Sequence, residues 1–242
     1  MSRPLVLNTR AQEQAAELSR LLAEGGFEPV EAPAIAIVAA WDTAELETVR
    51  RDLRAGLFDW VVLPSQNAAR GLETDLAVAR IVCGAATAEA LGIVAEVAIA
   101  RFNAAAALDV LRPGMAPGAR VLVPRAAEGR DELLDGLRGL GAEVIAPVAY
   151  RTVPVADAAN RIRAGGVDVV TVCSPSAVRS VAAALTPDVL LVCLGETTAE
   201  EARTRGLRVD AVARRTSMES LVEAVRTLSL QHGSSLGKVG IA

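Results

Sequence analysis

Apolar positions come in short unbroken runs separated by longer stretches with helical spacing. The runs include Leu5-Val6-Leu7, Trp60-Val61-Val62-Leu63, Ile81-Val82-Cys83, Val121-Leu122-Val123, Val169-Val170-Thr171-Val172 and Val192-Cys193-Leu194. A strand with one wet face alternates apolar and polar residues; these runs do not, so they predict strands buried on both faces. Between them, Leu18, Leu21 and Leu22 keep the spacing of a helix face up to the stop Gly25-Gly26. Leu133, Leu137 and Leu140 do the same up to Gly141. Strand and helix in alternation predict an α/β fold with parallel sheets and helices on both faces.

The alternation occurs twice. Leu5-Val6-Leu7-Asn8-Thr9-Arg10 parallels Val121-Leu122-Val123-Pro124-Arg125, each a strand ending in arginine before a helix. Both helices lead into a further strand, Glu28-Pro29-Val30 or Glu143-Val144-Ile145. Asp59 to Ser65 has the same spacing as Asp168 to Ser174, and Gly84 to Thr87 the same as Gly195 to Thr198. Each serine precedes an expected helix start, at Gln66-Asn67-Ala68-Ala69 and at Pro175-Ser176-Ala177-Val178. Pro113-Gly114-Met115-Ala116-Pro117-Gly118 is a turn-rich break between the copies. Taken alone, the repeat suggests contiguous halves, about 1–116 and 117–230.

Composition narrows the partners. Hydrophobic residues make up 52% of the chain and aromatics only 2%, so the core must be Ala, Val, Leu and Ile. Aromatic stacking platforms for single-stranded nucleic acid are not available. The net charge of −4 comes from interspersed charges without a basic stripe, and no nucleic-acid partner is expected. No apolar run reaches membrane-spanning length, with Glu96 interrupting the longest Ala/Val stretch, and Met1-Ser2-Arg3-Pro4 does not open a signal peptide. Cys83, Cys173 and Cys193 end apolar runs without CxxC spacing, as reduced buried thiols of a cytoplasmic protein do. The single histidine, His232, lies in a tail (231–242) expected to be flexible. Histidine-based metal sites and Ser-His catalysis are therefore not expected, and no metal or cofactor is assigned. Gly233-Ser234-Ser235-Leu236-Gly237-Lys238 is one spacer short of a phosphate loop. Glu200-Glu201 and Asp131-Glu132 read as solvated helix faces.

Ser65, Thr87, Ser174 and Thr198 recur at strand-to-helix junctions. Each has a structural reading as a helix cap. Together they mark the carboxyl ends of parallel strands, where ligands bind and helix N-termini attract anions. Arg10 and Arg125, and with them Arg130 and Arg151, are either surface ion pairs or carboxylate contacts.

The ordered set Thr9-Arg10, Ser65-Gln66-Asn67-Ala68, Gly84-Ala85-Ala86-Thr87-Ala88, Val148-Ala149-Tyr150-Arg151-Thr152, Cys173-Ser174-Pro175-Ser176-Ala177-Val178 and Gly195-Glu196-Thr197-Thr198-Ala199 resembles the uroporphyrinogen-III synthase family over about residues 4–228. Ala11 departs from it, since the family usually has Pro after Thr-Arg, and the 66–80 segment is short. The resemblance implies a cofactor-free cyclising lyase acting on hydroxymethylbilane, a polycarboxylate tetrapyrrole, with inversion of the last ring. It implies a monomer of two similar α/β domains with a ligand cleft between them. One domain is discontinuous (1–35 and 153–230) and the other is 36–152, the two being joined by a two-stranded linker. The linker strands are Pro33-Ala34-Ile35-Ala36-Ile37 and Pro147-Val148-Ala149-Tyr150-Arg151. It also gives Tyr150 the role of donor to the departing hydroxyl, and carboxylate contacts to Arg10, Ser65, Asn67, Thr87, Arg125, Ser174, Ser176 and Thr198. Against this stands a structural reading of Tyr150 as a packed strand residue. The chain could also be a non-catalytic ligand-binding or regulatory module on the same scaffold, or a glycosyl- or nucleotide-transfer enzyme.

Overall fold

The computed structural model describes residues 3–231; His232 and the rest of the expected tail lie outside the described residues. In chain order the elements are β1 (Leu5–Asn8), α1 (Ala16–Glu24), β2 (Glu28–Glu31), β3 (Ile35–Ala39), α2 (Thr43–Arg54), β4 (Trp60–Leu63), β5 (Ile81–Gly84), α3 (Ala85–Leu91), β6 (Val97–Ile99), α4 (Ala104–Leu111) and β7 (Arg120–Leu122). There follow β8 (Arg125–Ala126), α5 (Glu132–Gly139), β9 (Glu143–Ile145), β10 (Val148–Pro154), α6 (Asp157–Arg163), β11 (Val169–Val172), α7 (Pro175–Val181), β12 (Leu190–Cys193), α8 (Glu196–Thr204), β13 (Ala211–Val212) and α9 (Met218–Gln231).

The chain divides into two compact units, one running to Ala36 and resuming at Val153, the other Ile37–Thr152. The first holds the sheet β13-β12-β11-β1-β2, all neighbours parallel. Its faces are separately packed. Leu7, Val170, Val172 and Leu191 meet α6, α7 and α8 on one side. Val6, Val169, Leu190 and Val192 meet Leu18, Leu22, Leu221 and Val225 of α1 and α9 on the other. Burial on both faces is the reason these strands are apolar throughout.

The second unit holds β6-β5-β4-β7-β9, also parallel. Val61, Leu63, Ile81 and Leu122 pack on α2 and the segment after β4, and Val62, Val82 and Val121 on α4 and α5. Spatially the two sheets are the same. β1, β2, β11, β12 and β13 occupy the places of β7, β9, β4, β5 and β6. The strands reach those places in a different chain order, which is what a repeat threaded through a discontinuous unit produces.

The repeated aspartates explain part of the likeness. The Leu5 amide donates to Asp168 Oδ2 at 2.7 Å while the Asp168 amide donates to the Leu5 carbonyl at 3.0 Å. In the second unit the Arg120 amide donates to Asp59 Oδ2 at 2.8 Å, and the Asp59 amide to the Arg120 carbonyl at 2.9 Å. Each aspartate thus locks the start of the neighbouring strand.

Two expectations need correction. The two expected linker strands, β3 and β10, are the ones in which the chain passes from one unit to the other, but they lie in a sheet of three, β3-β10-β8, and not of two. Its extra strand forms because Val148 and Tyr150 of β10 pair with Arg125 and Ala126 across a register shift. After Ser65 there is no α-helix but a 3₁₀ turn, Gln66–Ala69, closed off by Gly71 at φ +80°. A left-handed residue cannot continue a helix.

Candidate functional site

In the first unit the switch point of the strand order lies between β1 and β11, and in the second between β7 and β4. In such sheets ligands bind at the carboxyl ends of strands beside that point. The residues there differ sharply between the units.

In the first unit, polar groups at this edge are largely satisfied from within. Asn8 and Thr9 are fully buried. Asn8 Nδ2 donates to the Ala15 carbonyl and to Ser19 Oγ, at 2.9 and 3.0 Å. Thr9 Oγ1 donates to the Thr171 carbonyl at 2.6 Å, and Thr171 Oγ1 to the Leu7 carbonyl at 2.9 Å. Ser174 caps α7, its Oγ accepting from the Ala177 amide at 3.2 Å. Ser176 Oγ accepts from Arg179 Nη2 at 2.9 Å, and the Arg10 guanidinium reaches the Met218 sulfur. Thr198 is only 4% exposed and its side chain turns into the protein, so any ligand contact there falls to its backbone or to exposed Thr197.

In the second unit, half-buried Ser65 makes no cap. Its Oγ instead lies 3.0 Å from Tyr150 Oη. Tyr150 reaches it from β10, its ring packed beside the Leu63 and Leu122 cluster and its carbonyl accepting from the Ala127 amide at 2.9 Å. Asn67 lies in the turn that comes after Ser65, and α3, whose first turn carries half-buried Thr87, packs on that turn. Gly84 stands where α3 starts close to its neighbours: a Cβ there would lie 3.2 Å from Phe102 Cβ, a tight contact. At repeat-equivalent Gly195 the neighbour is Thr216, again at 3.2 Å. Arg125 turns back on its own loop, pairing with Asp131 and donating to the Gly129 and Ala126 carbonyls. In this conformation it ties β8 to α5 and does not face solvent as a free cation. Ser65, Asn67, Thr87 and Tyr150 are therefore one neighbourhood, while Ser174, Ser176, Thr198 and Arg10 belong to the other unit.

The sequence reading did not single out Trp41 or Asp75, which hold the segment after Ser65. A lone tryptophan and a lone aspartate far apart in the chain give no motif. The thiols are unpaired. Burial pushes Cys173 up to about 11 and Cys193 up to about 12, well above the ordinary thiol, so neither is a ready nucleophile. Among the described residues, no group of three or more His, Cys, Asp or Glu side chains could hold a metal ion, and no helix is long and apolar enough to cross a membrane.

Comparison with known proteins gives a consistent result. The family model described as uroporphyrinogen-III synthase HemD matches residues 16–223. The chain is 30% identical to the chloroplastic uroporphyrinogen-III synthase of Oryza sativa subsp. japonica, over 96% of this chain and 83% of that protein. It is 26% identical to the porphyrin biosynthesis protein HemD of Ruminiclostridium josui over 92% of its own length, and spans 49% of that protein. The crystal structure of uroporphyrinogen-III synthetase from Helicobacter pylori 26695 shares the fold with a TM-score of 0.62 at 15% identity, over 93% of this chain and 99% of that one. A mutant uroporphyrinogen III synthase from the extremely thermophilic bacterium Thermus thermophilus does so with a TM-score of 0.59 at 18% identity, over 94% and 99%. With a family match running through most of both units, the chain belongs to the uroporphyrinogen-III synthase family.

Proposed function

We propose that the protein cyclises hydroxymethylbilane to uroporphyrinogen III, inverting the last pyrrole ring and releasing water. Loss of the substrate's hydroxyl leaves an electrophilic azafulvene. The last ring attacks it through its substituted carbon, and the spiro intermediate fragments and recloses with that ring turned over. The observation that carries the reading on this chain is the Ser65–Tyr150 contact beside the switch point of the second unit. Either hydroxyl can donate in that contact, and the reading takes the arrangement in which Ser65 Oγ donates to Tyr150 Oη. The phenol proton is then directed away from Ser65, toward a departing hydroxyl.

Carboxylate arms of the substrate are assigned to the turn and helix starts around Ser65, Asn67 and Thr87 in one unit. In the other they are assigned to those around Ser174, Ser176 and Thr198, with Arg10. Arg125 meets a carboxylate only by releasing Asp131. The protein's main task is conformational, holding the bilane so that the substituted carbon is the one that attacks. We place the reaction in the cytoplasm, carried out by a monomer without nucleic acid. The three unpaired thiols suit a reducing compartment.

The test is product analysis: hydroxymethylbilane is incubated with the protein and the uroporphyrin isomers are separated after oxidation. Type III in excess is expected, with and without a chelator. Type I alone, at the uncatalysed rate, overturns the reading. Bilane binding without turnover selects the non-catalytic module instead.

A further inference from the structure

The two units diverge most immediately after their switch-point serines. After Ser174 the chain enters α7, whose first turn uses the serine hydroxyl as its cap. After Ser65 the same place holds a 3₁₀ turn and an irregular stretch to Ala79, and the hydroxyl goes to Tyr150. A helix begun after Ser65 would draw Oγ onto the Ala68 amide, as Ser174 Oγ is drawn onto that of Ala177. That amide instead donates to the Ser65 carbonyl at 3.0 Å.

The irregular stretch is tied down at two points. Trp41 Nε1 donates to the Arg70 carbonyl at 2.7 Å. Asp75, 5% exposed, accepts from Arg50 Nε and Arg54 Nε, each at 2.7 Å. Those arginines stand one turn apart on α2, so a single carboxylate bridges both. Burial pushes the Asp75 carboxyl up, but the bonds from the two arginines outweigh it and hold the group below the usual carboxylate range. Between the ties, Gly71 brings the backbone against Leu46 and Trp41, where a Cβ would lie 3.4 Å from the Leu46 side chain. A buried carboxylate that loses its cations is strongly disfavoured, so the stretch cannot leave α2 cheaply.

We propose that Asp75 and Trp41 are positioning residues: they hold the 66–79 stretch on α2 in the conformation that leaves the Ser65 hydroxyl to Tyr150 instead of to a helix cap. The kinetic consequence rests on the proposed synthase reaction; the structural consequence does not.

Tyr150 is the only tyrosine in the chain, so protein labelled with ¹³C at the tyrosine Cζ gives one resonance that reports its hydroxyl's partner. Ser65→Ala supplies the reference position for a Tyr150 without that partner. Trp41→Phe keeps the ring and removes the donor; Asp75→Asn keeps the shape and removes the charge. Both are expected to move the resonance toward the Ser65→Ala position. Both should lower kcat by about threefold to tenfold, no more than Ser65→Ala itself, with KM within about twofold, as a misdirected proton donor does and lost substrate contacts do not. Lowered melting temperature with an unmoved resonance and unchanged kcat overturns the proposal and leaves a purely structural clamp. Should Asp75→Asn fail to fold, Trp41→Phe decides alone. An unmodified protein that makes no type III isomer sinks the synthase reading, while the resonance still tests the clamp.

Discussion

Replacing Tyr150 with Phe separates chemistry from packing. The ring stays in its place beside Leu63 and Leu122, and only the hydroxyl facing Ser65 at 3.0 Å is lost. One neutral hydrogen bond contributes about 0.5–1.5 kcal/mol. Here both residues are half-buried and water can replace the missing partner, which puts the cost at the low end. For a chain of this size the melting temperature should fall by no more than about 2–4 °C. The rate should fall much further. General-acid assistance gives typically about 10²–10⁴-fold. The leaving hydroxyl is already activated by its pyrrole, so about tenfold to a hundredfold is expected, about 1.4–2.7 kcal/mol of barrier. Ser65→Ala leaves the donor and removes only its orientation, so its loss should be smaller, about threefold to tenfold. Since both act through one proton, Ser65→Ala in the Tyr150→Phe background should cost almost nothing more. The assay is single-turnover formation of the type III isomer alongside thermal denaturation. A Phe variant within about twofold of the parent rate, or two losses that multiply, refutes the reasoning and leaves substrate conformation as the whole of catalysis.

Two further outcomes rest on the same geometry. Asp168→Ala removes a charged acceptor from the Leu5 amide at a half-buried site and should cost about 1.5–3 kcal/mol in urea denaturation. Asp59→Ala, doing the same for Arg120 at an exposed site, should cost less, and equal costs contradict the burial argument. Thiol reagents should label Cys173 and Cys193 slowly in the folded protein at about pH 8 and quickly in denaturant. Their pKa values are raised to about 11 and 12, so the reactive thiolate is disfavoured until pH approaches those values. Rapid labelling of Cys173 without denaturant sinks that assignment.

How much of this was legible in the chain depends on what each residue's role requires. Two-faced burial forces unbroken apolar strands, so the strands and their parallel arrangement are written in the hydrophobic pattern. The paired aspartates and glycines are visible because the same local geometry needs them twice: a strand-start lock at Asp59 and Asp168, a close approach at Gly84 and Gly195. The turn after Ser65 is illegible for the opposite reason. Gln66-Asn67-Ala68-Ala69 has nothing against a helix locally; it is overridden by Trp41 and by Arg50 and Arg54, which come from elsewhere in the chain. The fate of Arg125 is hidden for another reason: its partner Asp131 is only six residues on but looks like any exposed carboxylate at a helix start. Thr9 stands out in sequence beside Arg10, yet its hydroxyl is wholly taken up by Thr171 across the strands. Strength of a motif therefore indicated place well and role poorly.

The contrast between the units has a simple physical origin. Matching the strand starts at Leu5 and Arg120 sets Asn8, Thr9 and Thr171 of the first unit against Val123, Pro124 and Val62 of the second. In the first unit those three buried polar side chains bond to the ends of β1 and β11 and to α1, and the serine at the switch point caps its helix. Every such bond fixes an atom that a ligand would otherwise have to displace, and a satisfied buried group gains nothing from a new partner. In the second unit the corresponding positions are apolar and need no partners. There the strand ends are held by packing, and the serine hydroxyl is drawn to a side chain from a different sheet. The one repeat thus carries an edge whose buried polar side chains are bonded within the fold and an edge whose serine hydroxyl meets a tyrosine hydroxyl. The proposed proton donor sits on the second because only there does the fold not need the serine for itself.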